Sequence, residues 1–341
     1  MSYTVDDLKA KITENIDKLD YPAALLFCQK GLQLEPRNAE LLEMTAQVEL
    51  ELEQFEAAHK ASKKKKSNHL LQSIEAAPNE GYSKYMYLGQ MLSEKDAIQA
   101  FQKGVDLMVI EKSKIQDTTS EEAKFLASKI SSALCSMTEI YLTDCCFEPE
   151  AESKCEEYLS QAQQVDPENP EVYQLLASVR LSQQRNEEAA AALNKSMELW
   201  IDKEPGDAAI PIYDTRLALV KLLLEVGMFE HAFTVLENLQ KENDEVVDLW
   251  YLYGWTYYCL GDEEERTEEE RITLWSDARD CLETAVKLFQ VIGSDDVAMF
   301  EHSKELIQTI NQVVPETVEE PEEEVNEELE IESEDEDAME E

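Results

Sequence analysis

Glycine, proline and histidine are scarce: 9, 10 and 4 among 341 residues. Stretches of Val, Ile and Thr with period-two alternation are scarce too, which leaves little for β-structure, while Ala, Leu, Glu, Gln and Lys favour helices nearly throughout. No stretch approaches eighteen uncharged apolar residues, so no transmembrane helix is expected. The opening MSYTVDDLKAKITENIDKL lacks the basic-then-apolar order of a secretory leader, and a soluble, non-secreted chain is expected. Seven cysteines (Cys28, Cys135, Cys145, Cys146, Cys155, Cys259, Cys281) are odd in number, and none stands in a CxxC pair beside a histidine cluster. They read as reduced, mostly buried thiols, which points to the cytoplasm and nucleus.

Catalytic signatures are missing as well. His59, His69, His231 and His302 fall on separate expected helices or turns. There is no Gly-rich phosphate loop, no nucleophile elbow and no metal-spaced His/Cys cluster. The acidic run Asp262–Glu265 lacks the central Gly and alternating ligands of a calcium loop. No enzyme activity, cofactor or metal is expected.

What is abundant is negative charge. With 75 Asp and Glu against 30 Lys and Arg, the net charge is −45. Such a chain repels nucleic acid and anionic membrane and attracts basic polypeptides at long range. A basic protein segment is therefore the expected partner, with no direct nucleic-acid or membrane contact.

Self-similarity sets the fold. The tetratricopeptide pattern places a large residue, Leu-Gly and another large residue on one helix, then small-large-small spacing on a second. Small residues mark the helix crossing, where bulk would hold the backbones apart. Tyr173, Leu176 and Ala177, then Ala189, Leu193 and Ser196, form the clearest unit. Pro167 and Ile201 occupy equivalent turns 34 residues apart. In DLWYLYGWTYYCLGD, Trp250, Tyr253, Gly254 and Tyr257 match a first helix, and Ala278, Leu282 and Ala285 a second, with EEERTEEERITLW inserted between them.

Weaker units follow Leu217–Leu239 and GYSKYMYLGQ…DAIQAFQKGVDLM, whose first helix is about one turn short. A longer degenerate pair covers about 121–166. Upstream, Ala24, Cys28, Gly31 and Pro36 supply one unit, and ELEQFEAAHKA supplies Ala58 to another. The expected fold is all-α: a right-handed superhelical tetratricopeptide solenoid of about seven helix pairs over 1–314. A capping helix opened by Ser294/Asp295 closes it. Sixteen of the last 26 residues are Asp or Glu, and no Lys or Arg follows Lys304, so 315–341 reads as a disordered acidic tail.

First helices of stacked pairs line a concave surface, and residues one turn apart point into it. By pattern these are Glu40, Glu43, Gln47 and Glu51 near the start, and Asp248, Tyr251, Trp255 and Tyr258 near the end. Carboxylates and ring faces together suit a Lys- and Arg-rich segment. The one cationic island, Lys63, Lys64, Lys65 and Lys66, reads as a nuclear import signal with an import receptor as second partner, or as helix C-terminal charge.

Over about 1–313 the chain resembles the tetratricopeptide family. GYSKYMYLGQ with DAIQAFQKGVDLM, DLWYLYGWTYYCLGD and the acidic C-terminus more narrowly resemble the dedicated assembly chaperones of large-subunit ribosomal protein four, a fungal family with plant relatives. The resemblance implies capture of the newly made basic protein through its long internal loop, followed by escort to nuclear pre-ribosomes. The competing reading is a heat-shock co-chaperone, but of its carboxylate clamp only Lys9 is in place. The other aligned sites hold Thr13, Met44, Ser83 and Tyr87. A third reading is a scaffold subunit of a multiprotein assembly.

Overall fold

The computed structural model describes residues 3–57, 68–293 and 296–314, and the side chains of 53–57 are outside that description. The described residues form fifteen α-helices: α1 Val5–Asp17, α2 Tyr21–Leu34, α3 Ala39–Ala57, α4 Asn68–Ala76, α5 Ser83–Met91, α6 Glu94–Lys112, α7 Glu121–Leu142, α8 Ala151–Val165, α9 Pro170–Ser182, α10 Asn186–Glu198, α11 Tyr213–Glu225, α12 Phe229–Glu242, α13 Val247–Gly261, α14 Glu268–Ile292 and α15 Val297–Ile310. They fall into two compact units, residues 1–242 and 243–341.

Local chemistry sets the ends. Thr4 and Asp7 form a capping box at α1, and Thr267 with Glu270 does the same at α14, each pair satisfying two otherwise orphan amides. Asn169 caps α9, whose first residue is Pro170, a position where the missing N–H costs nothing. Gly293 ends α14 at φ 74°, the left-handed conformation that glycine adopts without a Cβ penalty.

In the first unit consecutive helices pack as six antiparallel hairpins, α1–α2 through α11–α12. First helices also touch the first helix of the next hairpin, as in α1–α3, α3–α5, α7–α9 and α9–α11. The crossings are made by small residues: Ala24 and Cys28, Ala97, Ala189 and Ala232 are buried at 2% exposure or less. In the second unit α13 and α14 form a seventh hairpin, and α15 packs against α14. Trp275, Ala278, Leu282, Leu306 and Ile310 share that unit's core.

Three expectations need correction. ELEQFEAAHKA, expected to supply Ala58 to a further unit, belongs largely to α3, which runs on through Ala57 and pairs with the short α4; Ala58 itself lies outside the described residues. The run EEERTEEERITLW is largely helical, extending α14 at its N-terminus. The closing helix is capped by Asp296, whose carboxylate accepts from the Met299 amide, while Ser294 and Asp295 lie outside the described residues. Lys63–Lys66 and 315–341 lie outside them too.

One buried charge holds α4 in place. Lys84 is 1% exposed, and its ammonium donates to the Ala77 carbonyl just past the end of α4 at 2.5 Å and to the Ser73 carbonyl in its last turn at 3.4 Å. Burial lowers its pKa, and Glu43 beside it works the other way. Replacing Lys84 with Met keeps the stem and strips those carbonyls of a donor. Both carbonyls keep a backbone donor, Ser73 from the Ala77 amide at 3.1 Å and Ala77 from the Glu80 amide at 3.2 Å, so unfolding free energy is expected to drop by only about 1 kcal/mol; an unchanged urea midpoint would show that the ammonium adds nothing to α4.

Candidate partner-binding groove

The walls of the groove in the first unit are α7, α9 and α11, and polar contacts fix their spacing. The Asn169 amide donates to Ser131 Oγ on α7 at 3.2 Å while its carbonyl oxygen accepts from the Glu171 amide at 3.0 Å. Gln174 on α9 donates to the Thr215 carbonyl on α11 at 3.0 Å. Between the three helices lies a cleft of about 550 Å³. Ser132, Cys135, Ser136 and Glu139 enter it from α7, and Glu171, Gln174, Leu175 and Ser178 from α9. Both sets have the i, i+3, i+4, i+7 spacing of one helical stripe. From α11 come Asp214, Ala218, Lys221 and Leu222.

Three carboxylates on successive first helices, Glu139, Glu171 and Asp214, therefore share one cleft. Burial raises the pKa of Glu171, whose carboxylate also accepts from the Ser132 hydroxyl and feels Lys129. Desolvation by the cleft wall likewise raises Glu139, with Glu171 adding like-charge repulsion. Glu139 keeps substantial solvent access, which screens much of that penalty. Ionised carboxylates held at a cost are primed for a cation, which removes the cost on arrival.

The sign of the pH dependence follows. Both folded pKa values lie above the ordinary 4.5, so acidification from neutrality toward 4.5 protonates these groups and weakens a bound cation. The same protonation relieves repulsion in the free fold. Binding of a Lys-rich peptide is expected to fall, and the melting contribution of this pair to rise, as pH falls from 7 toward 4.5. Titration calorimetry and thermal melts on the same sample read both, and affinity that is flat across this range would refute the role of the pair.

The residues picked out by sequence lie elsewhere, in two separate units. On α3, Glu40 is ion-paired with Lys9. Glu43 is half-buried and accepts from the Ser83 side chain and the Lys84 amide, which makes it a cap for α5 supplied from another helix. Glu51 and Glu43 face Tyr87, whose pKa burial pushes up to about 12. Gln47 is half-buried on the same helix. Lys9, the one clamp residue in place, is thus engaged by Glu40.

On α13, Tyr251, Trp255 and Tyr258 reach toward α14 and α15. The Tyr251 hydroxyl lies 2.9 Å from His302 Nδ1. Trp255 stacks on Tyr258 at 5.7 Å, and Tyr258 on Trp275 at 5.0 Å. Asp248 is half-buried one turn earlier. These rings cover the unit's core as much as they line a surface.

Helical hairpins whose first helices present carboxylates along one wall define a tetratricopeptide-type repeat module. No family model matches the chain. Its sequence is 35% identical over 318 residues to the "Probable assembly chaperone of rpl4" of Schizosaccharomyces pombe, covering 91% of this chain and 92% of that one. The "Probable assembly chaperone of rpl4" of Emericella nidulans is 31% identical over 317 residues, covering 85% and 77%. A solved structure of the Assembly Chaperone of RpL4 (Acl4), residues 1–338, superposes with a TM-score of 0.68 at 28% identity, covering 77% of this chain and 98% of that one. The chain belongs to this family of fungal Rpl4 assembly chaperones.

Proposed function

We propose that this chain is an assembly chaperone of ribosomal protein L4, and that it holds the basic internal loop of the newly made client against the α7–α9–α11 wall. The reading adds that the complex keeps the client soluble and passes from cytoplasm to nucleus, where the client joins pre-ribosomes. Family membership supports the client. The carrying observation for the mode of binding is the convergence of Glu139, Glu171 and Asp214 on one cleft, in a chain of net charge −45.

A basic loop held this way binds through several partly screened pairs, so its affinity falls steeply with ionic strength. Calorimetry with purified Rpl4, with Rpl4 lacking the internal loop, and with the loop peptide alone, each at 50 and 300 mM salt, tests the reading. The expected result is tight, salt-sensitive binding by the first and third, and at least a tenfold loss for the second. Equal affinity with and without the loop would overturn the assignment of the loop. Failure of intact Rpl4 to bind would overturn the function.

A further inference from the structure

We infer that the cleft walled by the α10–α11 connection is a second docking site, which takes an acidic peptide carrying an apolar anchor. Residues 199–212 join α10 to α11, far more than the two to eight residues usual between packed helices. Together with Arg216 and the end of α12 they enclose a cleft of about 610 Å³. Its floor is apolar, with Trp200, Ile201, Pro205, Ile210 and Pro211, and Ile212 stands 69% exposed at its edge.

The charge on this cleft runs opposite to that of the groove. Lys203 and Lys241 line it, both are exposed, and neither forms an ion pair among the described residues. Arg216 is engaged in the wall itself, donating Nε to the Pro211 carbonyl at 2.8 Å and pairing with Glu242. Asp207, also on the lining, accepts from the Ala209 amide at 2.8 Å. Asp202 and Glu204 flank Lys203 in sequence and lie outside the lining. With Asp207 and Glu242 each engaged in the wall, Lys203 and Lys241 are the charges this cleft leaves open to a ligand.

A second observation points to a ligand. Trp200 is 2% exposed, and its Nε1 is the one buried side-chain nitrogen or oxygen without a hydrogen-bond partner among the described residues. Buried donors are nearly always satisfied, and this N–H sits sealed in a side chain that lines the cleft, so a bound peptide that shifts the indole outward satisfies it. A peptide carbonyl or carboxylate supplies that acceptor. An aliphatic side chain covers Ile201 and Ile210, and flanking acids meet Lys203 and Lys241. A basic client would be repelled here, so the site is independent of the groove.

The probe is a fluorescein-labelled EELLEE peptide, read by anisotropy against the full chain at low salt, with KKLLKK as the reporter of the groove. EELLEE is expected to bind saturably. Trp200→Phe keeps the ring and removes the donor, and should weaken EELLEE roughly three- to tenfold. Lys203→Glu with Lys241→Glu should abolish it, and neither change should weaken KKLLKK. If the orphan N–H were merely a packing cost, Trp200→Phe would raise the melting temperature and leave EELLEE unaffected. That result, non-saturable binding, or survival of binding in the double reversal overturns the inference. Loss of KKLLKK binding alone, with EELLEE intact, would count against the groove and leave this site standing.

Discussion

Glu139→Lys with Glu171→Lys is expected to lower affinity for a Lys- and Arg-rich client segment roughly a hundredfold at low salt, with helicity unchanged. Each reversal removes an attraction and installs a repulsion within a partly desolvated cleft. Pairs of this kind are worth about 1 kcal/mol or a little more, between the small value of exposed pairs and the several kcal/mol of buried ones. Two such losses approach a factor of one hundred. Because the two carboxylates repel each other in the free fold, Glu139→Gln with Glu171→Gln should lower affinity about tenfold while leaving the melting temperature equal or higher. Glutamine at 171 retains an acceptor for Ser132, which keeps the wall intact. A mutant that binds the client as well as the parent, measured at 50 mM salt, would remove these helices from the binding site. Reduced affinity accompanied by reduced stability would instead indicate a folding defect.

Which parts were legible from sequence follows from what a helical repeat encodes. Gly254, Ala189, Ala278 and Leu282 are readable because a close crossing demands small residues at fixed spacing around a large one, and a repeat writes that demand many times. The α3–α4 hairpin is hard to delimit because α3 runs on to Ala57 with no Gly or Pro in its sequence to mark a stop. The groove residues show a different limit of sequence. Spacing identifies which side chains leave the first helix on one face, but not which of them are engaged by a neighbour. Glu40 is held by Lys9, Glu43 caps α5, and Tyr251 meets His302. Those partners lie 31, 40 and 51 positions away in the chain, beyond any local pattern. Glu139 and Glu171 carried a usable signal, the stripe each shares with small polar residues on adjacent first helices. For Glu139 it is hidden because the 121–166 pair is too degenerate to align with the clear unit that carries Glu171.

Gly254→Ala is expected to destabilise the second unit by about 1–2 kcal/mol, although glycine inside a helix ordinarily costs ~0.5–1 kcal/mol relative to alanine. A Cβ at 254 would lie 2.5 Å from Leu282 Cγ and 3.0 Å from the Ala278 carbonyl oxygen. Neither can retreat easily. Leu282 and Ala278 are fully buried in the cluster with Trp275, Leu306 and Ile310, and Cγ lies near the root of its side chain. Overpacking of this sort costs roughly 1–3 kcal/mol, which exceeds the helix gain, and Gly254→Val should cost more still. Gly104 is the control. Its added Cβ would sit only 2.0 Å from Met86 Cε, a nominally worse clash, yet that atom is the free end of an unbranched side chain, and the next neighbour is 3.4 Å away. Methionine can swing aside, so Gly104→Ala should be neutral or stabilising. Three of the four tryptophans, Trp250, Trp255 and Trp275, report on the second unit, so urea titration by tryptophan fluorescence in a Trp200→Phe background isolates the Gly254 effect; circular dichroism covers Gly104. Should Gly104→Ala prove the more damaging of the two, distance alone would govern tolerance here, and the mobility of the opposing atom would count for nothing.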